Sequence, residues 1–432
     1  MSEIVILIFI LGYAAIAFEH TIKINKSATA LITGVLCWTI YILFSSDKVF
    51  VSEELTLHLG DLSGILFFLM GAMTIVELID AHSGFDMITE RIRQKDKRKL
   101  LWIIGFVTFF LSAILDNLTT TIVIVSLLRK LIKDDKDRMF FTGIVVIAAN
   151  AGGAWTPIGD VTTTMLWMGG QITTLNIMMK LILPSLLCLV FPLIFVSFKI
   201  KGAVESSLNK EVRYQGLSQN HKSIVFFSGV SVLVLVPVFK TLTHLPPYMG
   251  ILLGLGILWV ITEIIHGKKA VPTKHTLSVA QALRKIDMPS ILFFLGILIC
   301  IAALQSTGVL TTTANWMDST IKNINVIAIS IGLLSAIIDN VPLVAAAQGM
   351  YSLTVYPTDH FFWEFLAYAA GTGGSVLIIG SAAGVAAMGM EKINFFWYLR
   401  KISLPALIGY LAGCFAYILQ NYFSCFPRFF WV

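Results

Sequence analysis

The chain has 432 residues, 57% of them hydrophobic and only 13% charged. Soluble globular chains carry about 25% charge, so a soluble domain is excluded and an all-α polytopic membrane protein is expected. The net charge of +6 is not a nucleic-acid footprint, because Lys and Arg of membrane proteins gather in cytoplasmic loops.

A membrane-crossing helix needs about 20 apolar residues. The N-terminus lacks the basic region of a signal peptide, so Ile4–Phe18 reads as a retained first helix. Further crossings are expected at Ala28–Phe44, Leu62–Ile79, Phe140–Trp167, Ile177–Phe198, Ile224–Phe239, Met249–Ile265, Met288–Leu304, Phe362–Met388 and Ile402–Leu419. Two apolar stretches remain, 100–132 and 322–353, each with Asp-Asn near its centre. At 1.5 Å per residue they are too long for one untilted crossing, and they read as re-entrant hairpins with polar tips. Cys37, Cys188, Cys300, Cys414 and Cys425 are scattered without a CxxC pair, which fits small buried hydrophobes rather than a metal site or disulfide framework. The eight His are expected in loops or at helix ends, and the Phe426–Trp431 cluster in an interfacial belt.

Ten crossings and two hairpins place 26 of the 31 Lys and Arg on one side, in segments 20–27, 81–99, 129–138, 199–222, 266–287 and 389–401. That side is assigned to the cytoplasm, which leaves both termini external.

The chain also repeats. Asp61–Leu69 echoes Asp287–Leu295, Ser112–Asn117 echoes Ser335–Asn340, and Ala149–Gly153 echoes Ala370–Gly374, at offsets of 226 to 221 residues. Five crossings per half make the second half enter upside down. Residues 1–198 and 223–432 thus read as an inverted repeat, joined by a cytoplasmic linker over 199–222, with the site between halves near the midplane.

Each half carries a broken helix, within 140–167 and 362–388. Gly152-Gly153 and Pro157 interrupt the first, and the glycines from Gly371 to Gly384 the second. Gly permits unwinding, and Pro removes a donor and clashes with the preceding turn. The freed carbonyls and side-chain oxygens become available to a ligand. A nucleotide loop is excluded, because Val376 stands where the third Gly is required and no βαβ unit surrounds it.

The deep ionisable residues read as Asp116, Asp160 and Asp339, with Glu77 nearer a helix end and no Lys or Arg in the polar breaks. A carboxylate at bilayer depth is a functional hypothesis by default. Hard cations take several oxygen ligands, at least one charged. Burial in general favours the neutral form of an acid, so a proton competes with the cation. Asp116, Asp160 and Asp339 are the candidate Na⁺ and proton carboxylates. Asn117, Asn340, Asn150, Thr156, Thr162, Thr163, Thr372, Ser375 and Ser381 are candidate neutral ligands or orienting groups. Capping of helix starts by Asp116, Asp339 and Asp160 is the plainer alternative, and it can coexist with ion binding. The Thr hydroxyls have their own alternative, bonding back to helix carbonyls.

Leu115–Thr121, Asn150–Trp167, Ile338–Val344 and Ala370–Gly380 closely resemble motifs of NhaD-type Na⁺/H⁺ antiporters of the ion transporter superfamily, over roughly residues 4 to 421. The deep His and Cys of a hydrolytic or metal site are missing, which argues against an enzyme, and no cofactor is expected. The resemblance implies exchange of cytoplasmic Na⁺ and Li⁺ for external H⁺ in the cell inner membrane. It further implies a homodimer in the lipid bilayer, with a transport domain moving against a scaffold. It places Asp116, Asn150, Asp160, Thr162, Thr163 and Asp339 in the transport path. The same scaffold leaves a Na⁺-coupled carboxylate or oxyanion symporter as the alternative.

Overall fold

The computed structural model describes residues 1–17, 19–85, 87, 92, 94–200, 202–204, 219–266 and 277–424. Cys425, the 426–431 cluster and most of the 199–222 linker lie outside the described residues. The described residues are helical, apart from turns, loops and one isolated bridge between Asp96 and Ala203.

In chain order the helices are α1 (Ser2–Ala17), α2 (Glu19–Ile22), α3 (Lys26–Phe44), α4 (Lys48–Ala81), α5 (Lys97–Ser112), α6 (Asn117–Leu131), α7 (Asp135–Gly153), α8 (Val161–Met168), α9 (Thr174–Ser197) and α10 (Gln219–Thr243). They continue with α11 (Pro247–His266), α12 (Val279–Lys285), α13 (Met288–Ser306), α14 (Val309–Thr320), α15 (Ile324–Leu334), α16 (Asn340–Met350), α17 (Phe361–Gly373), α18 (Ala382–Glu391), α19 (Phe395–Lys401) and α20 (Ser403–Ser424).

Among the described residues seven of these are long and apolar enough to cross a membrane: α3, α4, α9, α10, α11, α13 and α20. The three other expected crossings are α1, with 16 residues, and the two broken segments, which divide into α7 with α8 and α17 with α18. The expected hairpins are helix–turn–helix units, α5 with α6 and α15 with α16.

Helix α4 differs from expectation. It runs unbroken for 34 residues, about 51 Å at 1.5 Å per residue, where a crossing was expected over 62–79. Glu53, Glu54, His58 and Asp61 dilute the hydropathy of its first half without breaking it. Asp47 caps its start, its carboxylate accepting from Phe50 N at 3.0 Å. His58 therefore lies inside a helix, and the expectation that every His falls in a loop or at a helix end is corrected.

The chain forms two compact units. The first comprises 1–91, 212–320 and 345–352. Its tightest pair is α3 against α13, where a Cβ on Gly34 would lie 2.6 Å from Gly296 O and one on Gly296 2.5 Å from the Ala30 carbonyl carbon. Trp38 Nε1 donates to Ile299 O at 2.9 Å across the same seam. The second unit comprises 92–211, 321–344 and 353–432. There α9 packs on α20, and a Cβ on Gly409 would come within 2.3 Å of Cys188 O. Every candidate site residue falls in this second unit.

Candidate functional site

The site is assembled by two helix breaks and two helix starts. Helix α7 ends at Gly153 and α8 begins at Val161, capped by Asp160. Gly152 abuts the Phe109 carbonyl, which a Cβ would approach to 2.2 Å, so only glycine lets α7 close on α5 here. The second break is built alike: a Cβ on Gly373 would come 1.9 Å from Gly332 O. Ser112 Oγ donates to Ala149 O at 2.6 Å, and its repeat partner Ser335 Oγ donates to Ala370 O at 2.8 Å. The contacts that seat each turn against its neighbouring broken helix thus recur at equivalent positions.

Side chains from three of these elements meet at Asp160, which is 2% exposed, and the second break reaches it through Asn150. Asn117 Nδ2, at the first residue of α6, donates to Asp160 Oδ2 at 2.7 Å and to Asn150 Oδ1 at 3.0 Å. Asn340 Nδ2, at the first residue of α16, faces both Asp160 oxygens at 3.4 Å. Thr162 donates to Asp160 Oδ1 through its backbone N at 2.9 Å and its Oγ1 at 3.0 Å. Asn150 Nδ2 donates to Ser375 Oγ and Ser381 Oγ, both at 2.9 Å. The first broken helix supplies the acid and the amide, and the second supplies two hydroxyls.

The other expected residues lie around this network in plainer roles. Asp116 caps α6, its carboxylate accepting from Thr119 N and Thr119 Oγ1, each at 2.7 Å. It does so at φ +133°, a conformation L side chains rarely adopt. Asp339 Oδ1 accepts from Val341 N at 3.2 Å at the start of α16. Both acids are half-buried. The hydroxyls of Thr156, Thr163 and Thr372 donate to the carbonyls of Ala113, Asp160 and Tyr368.

Two buried acids escaped the sequence reading. Glu364, 2% exposed, accepts from Tyr417 Oη at 2.5 Å and from Asn176. The criterion that singled out Asp116, an acid within an apolar run, applies to it equally. Glu391, whose side chain is also 2% exposed, pairs with Arg129 and Arg138. It sits among loop charges, and nothing local marks it as buried. Glu77 pairs with Lys285 at 3.1 Å, in keeping with a position near a helix end.

The arrangement offers one carboxylate, three amides and several hydroxyls around a buried point. Amides and hydroxyls can turn oxygen toward a cation, and the carboxylate can hold either that cation or a proton.

A family model described as a citrate transporter matches residues 13–364. Sodium/proton antiporter 1 of Arabidopsis thaliana is 52% identical over 412 residues, covering 95% of this chain and 71% of that protein. Sodium/proton antiporter 2 of the same plant is 48% identical over 419 residues, covering 96% and 99%. The Na(+)/H(+) antiporter NhaD of Vibrio parahaemolyticus is 30% identical over 415 residues, covering 89% and 97%. This chain is therefore a multi-pass membrane transporter that belongs to the NhaD-type Na⁺/H⁺ antiporter family, within the transporters that the citrate transporter model describes.

Proposed function

We propose that this chain exchanges cytoplasmic Na⁺, and Li⁺ at the same oxygens, for external H⁺ by alternating access. The convergence of amides from both helix starts on buried Asp160 supports this reading most. A lone carboxylate in a low-dielectric site is costly when empty, so it crosses carrying either a cation or a proton. With a proton on Oδ1, the Thr162 hydroxyl can turn to accept it, while Asn117 and Asn340 donate to Oδ2. With Na⁺ bound, rotation of those amides presents oxygen instead, and Asn150, Ser375 and Ser381 complete the shell. Asp116 and Asp339, half-buried at the starts of α6 and α16, are the carboxylates a cation meets on its way to or from Asp160.

The recurring Ser112 and Ser335 contacts support two halves, 1–198 and 223–432, of opposite orientation around the 199–222 linker. In this reading 100–132 and 322–353 are re-entrant, and the bias of Lys and Arg sets both termini outside the cell inner membrane. The second compact unit, which holds the site, is the moving transport domain of a homodimer.

Asp160→Asn is expected to abolish Na⁺-dependent dissipation of ΔpH in everted vesicles while protein stays in the membrane. Full exchange by that variant would remove Asp160 from the mechanism. The match to a citrate transporter model favours a second reading, Na⁺-coupled carboxylate uptake. Na⁺-stimulated accumulation of labelled citrate without a Na⁺-dependent ΔpH change would support it.

A further inference from the structure

Three of the helices that meet at the site also meet at their far ends. Helix α6 starts at Asn117 and carries Arg129 in its last turn. Helix α7 carries Arg138 in its second turn and Asn150 at the site. Helix α18 starts after its cap Ser381 and ends at Glu391. The intervals are 12, 12 and 10 residues, so the far ends lie about 15–18 Å from the site at 1.5 Å per residue.

There Arg129 Nε donates to Glu391 Oε1 at 2.6 Å, and Arg138 Nε donates to Glu391 Oε2 at 2.5 Å. Arg138 also donates through Nη1 to Ile132 O at 3.1 Å, the carbonyl just past α6, and through Nη2 to Asp135 at 2.7 Å. Lys97, at the start of α5, pairs with Asp137 of α7 at 2.5 Å. Both oxygens of a buried Glu are thus consumed by two different helices. A buried ion pair is weak evidence of stability, because desolvation offsets its Coulomb gain, and its best-attested use is to fix register. The opposite ends of the broken helices are joined without an Arg: Asp359, ahead of α17, accepts from Thr173 N at 2.6 Å and Thr173 Oγ1 at 2.7 Å.

We propose that Glu391 is a positioning residue for the cation site. Through Arg129 and Arg138 it sets the register of α6, α7 and α18, and so the spacing of Asn117, Asn150 and Ser381 around Asp160. The proposal rests on the cation-exchange reading. No resemblance or expected site residue pointed to this triad.

The test is exchange in everted vesicles from the parent protein, Glu391→Gln and Arg129→Gln, each titrated with Na⁺. Residues that act on a distant site through packed elements typically change its affinity by roughly 2–30-fold when mutated, so Glu391→Gln is expected to raise the half-saturating Na⁺ concentration by a factor in that range. Its rate at saturating Na⁺ is expected to change far less. Arg129, 48% exposed at its side chain, is expected to shift the same quantity in the same direction by a smaller factor. If Glu391→Gln fails to reach the membrane, Arg129→Gln alone decides. Normal exchange by the parent, with unchanged half-saturation in the variants, overturns the proposal alone. No exchange by the parent overturns the reading beneath it.

Discussion

Asp160 receives unequal donors, and the inequality makes a ranked expectation. Asn117 stands 2.7 Å from one carboxylate oxygen, whereas Asn340 stands 3.4 Å from both. Hydrogen bonds weaken steeply at such lengths. Asn117→Ala is therefore expected to raise half-saturating Na⁺ by more than Asn340→Ala, the former by about tenfold or beyond. A Na⁺ titration of ΔpH dissipation ranks them, and the reverse order would contradict the geometry. The sequence makes Asp160 conspicuous because an acid follows Gly159 inside an apolar segment. It suggests that Asp116 can cap a helix start, but not that it does so at a positive φ, since that depends on where Thr119 lies after the turn. Nor does it separate Thr162, whose hydroxyl faces the acid, from Thr163 and Thr372, which bond to carbonyls. Adjacent positions on one helix turn differ by about 100° in direction, and type alone does not say which faces inward.

At the scale of elements, the breaks are the legible part. Gly-Gly and Pro mark the first, where α7 ends at Gly153, and clustered Gly the second, where α17 ends at Gly373. What composition could not give was the close approach that requires those glycines. Gly152→Ala and Gly373→Ala place a Cβ against backbone carbonyls that cannot turn away. Each is expected to destabilise by about 1–3 kcal/mol, as overpacking does, and to lower the thermal midpoint of detergent-purified protein. Ser112→Ala and Ser335→Ala remove one side-chain bond to a carbonyl each, and about 1 kcal/mol is expected from either. Similar losses at the two serines would fit two halves built alike, and a large loss at only one would not. Helix α4 was the poorest expectation, because hydropathy locates the apolar part of a helix and not its ends. Its polar first half, Lys48 to Asp61, contains no Pro and has a competent cap, so the helix continues into a region that hydropathy reads as loop.

At the scale of the molecule, membrane class and family were legible from 57% hydrophobic residues, buried acids and long motifs. The division into two interleaved units was not, since each draws on both halves of the chain. Contacts between segments hundreds of residues apart decide that division. All candidate site residues fall in one unit, which supports the proposal that this unit carries the transport step. The central claim is cation–proton exchange at Asp160, and the most direct measurement is ΔpH in sealed everted vesicles, made with Na⁺, Li⁺, K⁺ and citrate in turn. Na⁺ and Li⁺ are expected to dissipate the gradient, K⁺ and citrate are not, and Asp160→Asn is expected to silence the response. A gradient indifferent to Na⁺, or one that Asp160→Asn still dissipates at the parent's rate, would contradict it.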